Sequence, residues 1–340
     1  MTQNNQEKAK VKLVYSEEVK TATAELYEKL RNLISEEEWA TYAPYIFEIQ
    51  KLKKTRNAII LAHNYQRPEV FHGVADLVGD SLGLARDGAK TDADVIVVCG
   101  VHFMAETAKL LSPEKTVLIP DAQAGCSLAD SITAEDVRGL RKKYPDVPIV
   151  TYVNTSAAVK AECDICCTSS NAVKIVESLK KDRVLCIPDQ HLASYVATQS
   201  NVEILKWQGS CEVHEQFTNQ ELRDYKTKYP HIIIAAHPEC PQNILKEADY
   251  VGSTGGMLKY VEEHQPTQIA MITECSMSDN LSVDNPNVQF LRPCNFCPHM
   301  QLITLEKIYY ALLNMTGQVE VDPQIAERAK LAVQNMLQAS

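Results

Sequence analysis

The chain has 340 residues, 45% of them hydrophobic and 23% charged, with a formal charge of −10 at pH 7. A chain of this length buries a sizeable core divided among more than one domain, and its acidity argues against a nucleic-acid surface, which needs a basic stripe. No stretch is long and apolar enough to span a membrane, the start Met1-Thr2-Gln3-Asn4-Asn5-Gln6 lacks a signal peptide's apolar core, and 11 cysteines then point to a cytoplasmic protein whose thiols are free or metal-bound.

Residues 1–15 read as loosely attached. Ser16, followed by Glu17 and Glu18, is a helix N-cap with acids in the first turn, for a helix to about residue 34. Ser35 with Glu38 has the form of a capping box for a second helix. Residues 1–45 carry no chemical motif and are expected to be a helical extension used for packing or for homodimer contact.

A first unit spans 46–127. The apolar run Ala58–Ala62 reads as a buried parallel strand and breaks into His63-Asn64-Tyr65-Gln66. A lone histidine is more often a satisfied polar group, but a histidine and a phenol together at a strand's carboxyl end read as functional. Gly79-Asp80-Ser81 sits where a helix N-terminus can meet an anion, although Asp-Ser also caps helices for structural reasons alone. A second run, Val95–Val98, leads through Gly100–Glu106 into a helix, and a third, Thr116–Ile119, precedes Cys126.

The second unit, 128–212, repeats this order. The run Ile149–Val153 ends in Tyr152 and Val153 and is followed by Asn154, with Tyr152 and Asn154 two apart on one strand face. Thr168-Ser169-Ser170 opens a helix, Val184–Ile187 follows, and Cys211 closes the unit. Cys163, Cys166 and Cys167 include a CxxC pair, but no second pair lies near it and the other units have no cysteines there, so zinc is not assigned to them. Cys99, Cys186 and Cys275, in or beside strand-like runs, are expected to pack as small hydrophobes.

The third unit, 213–299, opens with His214 just past Cys211. Ile232–Ala236 leads to His237-Pro238-Glu239, then to Gly252-Ser253-Thr254-Gly255-Gly256, to Ile269–Ile272, and to Cys294-Asn295-Phe296-Cys297. Helical patterns at 300–315 and 323–338 end the chain and are expected to pack on the first unit.

The three units share a period. Cys126 and Cys211 lie 85 residues apart, Cys211 and Cys297 lie 86 apart, and Lys143-Tyr144-Pro145 recurs 85 residues later as Lys228-Tyr229-Pro230. A fixed period marks a repeated supersecondary unit. Strands alternating with helices imply a parallel sheet flanked by helices, hence an α/β chain of three similar three-layer αβα domains. Ligands in such sheets bind beyond the carboxyl ends of the strands. Three such edges facing one axis bring Cys126, Cys211 and Cys297 to a shared central site. Three thiolates there fit either a zinc ion with an open position or a 4Fe–4S cluster with one open iron, and a thiol oxidoreductase using Cys294 and Cys297 is a third reading.

Taken together, Ala62-His63-Asn64-Tyr65-Gln66, Gly79-Asp80-Ser81, Tyr152-Val153-Asn154, Cys211-Glu212-Val213-His214-Glu215, His237-Pro238-Glu239-Cys240, Ser253-Thr254-Gly255-Gly256-Met257 and Cys297-Pro298-His299-Met300 resemble the quinolinate synthase family over about residues 50–315. The resemblance implies three αβα domains about a pseudo-threefold axis, with one 4Fe–4S cluster per chain held by Cys126, Cys211 and Cys297. The implied reaction condenses iminoaspartate with dihydroxyacetone phosphate, losing phosphate and water, to give quinolinate for NAD biosynthesis. An iminoaspartate-producing enzyme is the implied functional partner.

By the same resemblance Ser81, Ser169, Ser253 and Thr254 hold substrate carboxylates or phosphate. Tyr152, Val153, Asn154, His237 and Pro238 line the iminoaspartate portion, and Glu239 shuttles protons. Tyr65 and His63 serve proton transfer or the departing hydroxyl, and His214 stands near the cluster. Cys294 is left as either a redox-sensitive partner of Cys297 or a bystander.

Overall fold

The computed structural model describes residues 13–340, so most of the stretch expected to be loosely attached lies outside the described residues. Ser16 does cap a helix, Glu17–Leu30, accepting a hydrogen bond from the Val19 amide, and that helix stops short of residue 34. Ser35 and Glu38 form the reciprocal capping box, two orphan donors satisfied at once, for a long helix Glu36–Arg56. Trp39, Ile46 and Ile49 of that helix are buried against the body of the protein.

Twelve strands among the described residues form three four-stranded sheets. The first contains β1 (Ala58–His63), β2 (Leu77–Gly79), β3 (Val95–Cys99) and β4 (Thr116–Leu118). The second contains β5 (Ile149–Tyr152), β6 (Ile165–Cys167), β7 (Arg183–Ile187) and β8 (Glu203–Lys206). The third contains β9 (Ile233–Ala236), β10 (Tyr250–Val251), β11 (Gln268–Ile272) and β12 (Gln289–Leu291). All strand pairs are parallel. The spatial order is the same in each sheet: second, first, third, fourth.

The periodic pattern anticipated three strands per unit. The additional one is β2, β6 or β10, two or three residues long, too short to stand out as an apolar run. It lies immediately before the small-residue stretch in each unit. That stretch opens a helix directly at Ser81–Gly88, capped by Asp80, and at Thr254–His264, capped by Ser253. In the second unit the helix begins only at Ala172, so Ser169 stands in the turn ahead of it.

Strands buried on both faces read as continuous β-branched runs. Ile60, Ile96 and Val97 are fully buried, each contributing about 1.5–3 kcal/mol of burial free energy. One hydrophobic core joins the first two sheets and the C-terminal helices. The third sheet keeps separate cores on its two faces. Ile234, Ala236 and Ile272 face one, and Ala235, Ile269 and Met271 face the other, as the pleat requires. Leu305–Asn314 packs on Glu36–Arg56 and β3 of the first unit, whereas Pro323–Ala339 lies chiefly across β6 and the helices of the second, reaching the first through His102–Leu111. No helix among the described residues is long and apolar enough to cross a membrane.

Candidate active site

The strand order decides where the site lies. In each sheet the chain leaves the first strand for one neighbour and returns on its other side as the third. A crevice therefore opens at the carboxyl end of the first strand, the switch point at which α/β sheets bind ligands. His63 ends β1, Tyr152 ends β5 and His237 follows β9 directly. Each is followed two residues later by a second polar side chain: Tyr65, Asn154 and Glu239. All six line one cavity of about 750 Å³ counted to its mouth.

The same cavity is lined by Cys126, Cys211 and Cys297. All three are free and partly exposed, whereas Cys99, Cys163, Cys166, Cys167, Cys186 and Cys240 are buried and do not line it. Burial pushes Cys126 up to about 12 and Cys297 up to about 11, and lifts Cys211 well above the ordinary thiol range. Clustered thiols held this way keep their protons until a cation replaces them. The loops that carry them are tied together. The Ser127 hydroxyl accepts from the Glu212 amide at 3.1 Å, His299 pairs with Glu212 at 3.1 Å, and the Cys297 amide donates to Glu274 at 3.3 Å. Three sulfur donors and no fourth cysteine facing the space suit a cluster or ion with one open position.

The two strand-end histidines share a local device. The Tyr65 amide donates to His63 Nδ1 at 3.2 Å, and the Glu239 amide donates to His237 Nδ1 at 3.4 Å. With Nδ1 accepting, the proton of each neutral ring is on Nε2. Burial lowers His63 to about 4 against the pull of Asp80 and Glu239, and lowers His237 to about 3 against the pull of Glu239, so both are neutral at pH 7. His237 Nε2 then donates to Ser169 Oγ at 3.1 Å. That leaves the Ser169 hydroxyl proton free to donate to a ligand.

Glu239 is buried, with Tyr152 Oη donating to Oε1 at 2.6 Å and His214 Nδ1 facing Oε2 at 2.9 Å. Burial opposes its ionisation, but His237, His214 and the hydrogen bonds from His214 and Tyr152 outweigh that penalty and hold its pKa below the carboxylate range. Burial, reinforced by Glu239, keeps Tyr65 and Tyr152 protonated far above their usual range. The cavity therefore presents an ionised carboxylate among phenol, imidazole and hydroxyl donors, an arrangement for binding anions and moving protons.

Of the residues singled out from sequence, His63, Tyr65, Ser81, Tyr152, Asn154, Ser169, His214, His237, Glu239 and Thr254 meet in this cavity with the three cysteines. Val153 instead lines an adjoining apolar pocket with Leu61 and Phe103. Ser253 and Pro238 do not line the main cavity; Ser253 caps its helix by accepting from the Gly256 amide. Tyr152 and Asn154 share the strand face only loosely, because β5 ends at Tyr152, yet both reach Glu239 Oε1. Cys275, expected to be a passive thiol, is joined to Cys294 in a disulfide. The cause is local: the Cys275 amide donates to Asn295 O at 3.1 Å, so the end of β11 and the loop carrying Cys294 run side by side. Cys294 is thus paired away from Cys297.

Sequence reasoning missed Glu274, which lines the cavity and is pushed up to about 7 by burial, with donors at Cys297 and Ser276 pulling the other way. It also missed Lys160, whose ammonium donates to Val153 O at 2.8 Å and to Thr155 O, clamping the turn around Asn154. The available signal for Glu274 was the polar Thr273-Glu274 pair ending an apolar run. For Lys160 there was none.

Comparison with known proteins gives the family. A family profile described as "Quinolinate synthetase A protein" matches residues 47–338. A quinolinate synthase of Sinorhizobium fredii is 59% identical over 325 residues, covering 96% of this chain and 90% of that one. Quinolinate synthase 1 of Mesorhizobium japonicum is 57% identical over 316 residues, covering 93% and 98%. A quinolinate synthase of Xylella fastidiosa is 58% identical over 289 residues, covering 85% of each. With nearly the whole length matched at this identity, the chain belongs to the quinolinate synthetase A family.

Proposed function

We propose that the chain is an enzyme condensing iminoaspartate with dihydroxyacetone phosphate to quinolinate, with loss of phosphate and water, as a step of NAD biosynthesis. The observation that carries this reading is one cavity holding three free cysteines, an ionised buried carboxylate and helix starts suited to anions. Cys126, Cys211 and Cys297 would hold one 4Fe–4S cluster per chain. When bound, that cluster supplies an open iron acting as a Lewis acid.

The remaining work falls to the chain's own side chains. Ser81 and Thr254, on the first turns of their helices, and Ser169, whose proton is free, bind the carboxylates and phosphate. Tyr152, Asn154 and the neutral His237 orient the iminoaspartate portion. Glu239, ionised in the resting site, removes a proton first and returns it later, as carbon–carbon bond formation and dehydration require in turn. Tyr65 and the Nε2–H of His63 hydrogen-bond the departing hydroxyl, and the proton with which it leaves as water is the one Glu239 returns.

Both substrates are small, and iminoaspartate must come from an enzyme that makes it. A cytoplasmic setting suits free thiols, and the helical extension expected within residues 1–45 is the candidate contact for a homodimer. Anaerobic purification with iron and sulfide counts, followed by a quinolinate assay, tests the reading. Four irons with matching sulfide and quinolinate formation are expected; one zinc and no quinolinate would overturn it.

A further inference from the structure

Each unit brings a small-residue turn to the cavity, and the second is built differently from the other two. In the first and third units the residue at the N-cap bonds forward to its own helix: Asp80 accepts from the Gly83 amide, and Ser253 from the Gly256 amide. Asn171 holds that position in the second unit, ahead of Ala172–Ser178, and asparagine is among the strongest N-caps. Its side chain nevertheless makes no capping bond. It turns back on the preceding residues instead, with Oδ1 accepting from the Thr168 amide at 2.7 Å and from the Thr168 hydroxyl at 3.2 Å.

The orientation of the carboxamide is fixed by its partners. The Thr168 amide can only donate, so the oxygen faces it and the nitrogen faces Ser340. Asn171 Nδ2 donates to Ser340 Oγ at 2.6 Å, and Ser340 Oγ donates to Met336 O at 2.6 Å, on the helix Pro323–Ala339. Thr168 spends its hydroxyl proton on Asn171, so Ser170 Oγ, 2.7 Å from Thr168 Oγ1, is the donor there. Asn171 is buried, and Ser169 lies inside the loop that it closes with Thr168. Thr168 and Ser169 both line the main cavity, and from its far side His237 Nε2 donates to Ser169 Oγ at 3.1 Å.

We infer that Asn171 is a positioning residue for the reaction: its carboxamide closes the turn 168–171, ties it to the C-terminal helix, and so places the Ser169 hydroxyl against His237 and the cavity. The inference rests on the proposed condensation for its kinetic consequence, but not for the placement of Ser169. The second unit forgoes an N-cap bond at its helix start, and the same side chain holds a turn that no strand or helix supports. Without the carboxamide, the Thr168 amide loses its acceptor and Ser340 its donor, and the turn is free to carry Ser169 away from His237.

The test compares Asn171→Ala with Asn171→Asp in anaerobically purified protein. The alanine variant loses the whole clamp, whereas an aspartate oxygen still accepts from the Thr168 amide and hydroxyl, and Ser340 can turn its proton to the other oxygen. Asn171→Ala should lower kcat/KM about 10- to 100-fold, as a displacement of about 1 Å at a positioned group does, and Asn171→Asp should restore most of it. In a Ser169→Ala background the alanine change should cost less than about twofold more, because a residue that acts through Ser169 then has nothing to place. Wild-type kcat/KM in Asn171→Ala, equal damage in Asn171→Asp, or losses that simply multiply in the double variant would overturn the inference. A crystal structure of Asn171→Ala supplies a readout independent of turnover. The contact between Ser169 Oγ and His237 Nε2 should open beyond hydrogen-bond range, and an unmoved Ser169 would refute the assigned role. If the alanine variant does not fold, Asn171→Ser, one atom shorter and itself a good N-cap, gives the same reading. If wild type forms no quinolinate, the proposed reaction fails while the crystal structure still decides the role of Asn171.

Discussion

Lys160→Met separates what supports the fold from what supports the site. The ammonium is fully buried, donates to Val153 O and Thr155 O, and stands 5.4 Å from the Phe103 ring centre. Val153 O keeps a second donor, the Thr155 amide at 2.8 Å, so the substitution orphans chiefly Thr155 O. An unpaired buried carbonyl costs about 1–3 kcal/mol, and the lost cation–π contact about 1 kcal/mol. Against this stands the penalty of burying an ammonium, several kcal/mol even after relaxation, which methionine of similar shape removes. The balance falls within about 2 kcal/mol of wild type on either side.

Activity should not be spared in the same way. Asn154 lies between the two clamped carbonyls, and its amide is 3.5 Å from Glu239 Oε1. A displacement of about 1 Å at a positioned group costs on the order of 100-fold, so kcat/KM should fall about 10- to 100-fold. Urea unfolding and steady-state kinetics on the same preparation check both halves. The pH dependence gives a second arm. Burial lowers the Lys160 pKa below the ordinary lysine value, so between those two values the unfolded chain binds a proton that the native chain has lost. Wild-type stability therefore rises with pH through that window, and the methionine variant lacks that contribution. Loss of more than about 3 kcal/mol with unchanged kcat/KM would show that the ammonium holds the fold and not the Asn154 turn.

Three further outcomes follow from the same geometry. Cys211→Ala should lose bound iron and the visible iron–sulfur absorption, whereas Cys163→Ala, buried away from the cavity, should keep both; iron retained in the first variant would remove Cys211 from the ligand set. Glu239→Gln should cut kcat about 100- to 10,000-fold while iron content holds, and near-normal turnover would take Glu239 out of proton transfer. Ser35→Ala breaks the capping box of Glu36–Arg56 and should cost about 1 kcal/mol in urea unfolding with kcat unchanged; a fall in kcat would tie the helical extension to the site.

The repeat was legible because each unit spends its apolar residues in short β-branched runs that nothing else interrupts. Ile59-Ile60-Leu61, Ile149-Val150 and Ile232–Ile234 announce buried parallel strands whatever surrounds them. β10 did not, since Tyr250-Val251 is two residues long and is held by its pairing with Ala235 and Ala236. The cysteine set was legible through its period, and the strand-end pairs through their polar break after an apolar run. Glu274 and Lys160 were hidden for a common reason. Each acts through partners remote in sequence or through backbone carbonyls, and a single polar letter beside an apolar run does not reveal whom it will meet. Cys275 was misread on the same ground, its partner Cys294 lying 19 residues away on a neighbouring loop.

Repetition supplies position here, and divergence supplies chemistry. The two polar side chains at the first strand's end are His63 and Tyr65 in one unit, Tyr152 and Asn154 in the next, His237 and Glu239 in the last, and all six line the same cavity. Only one of the six is a carboxylate. Had each copy kept an acid, three negative charges would have faced one another and the three cysteines, and at least some would have taken up protons to escape the repulsion. With one acid, the neighbouring donors can converge on it: Tyr152 directly, Asn154 at the edge of hydrogen-bond range, and His214 from the cysteine loop. The first unit supplies a neutral imidazole and a phenol, His63 and Tyr65, to the same space. A carboxylate together with neutral proton donors in one cavity is what a reaction that removes a proton, then expels water, needs. Three identical copies could not provide it, and a single copy could not surround the substrate.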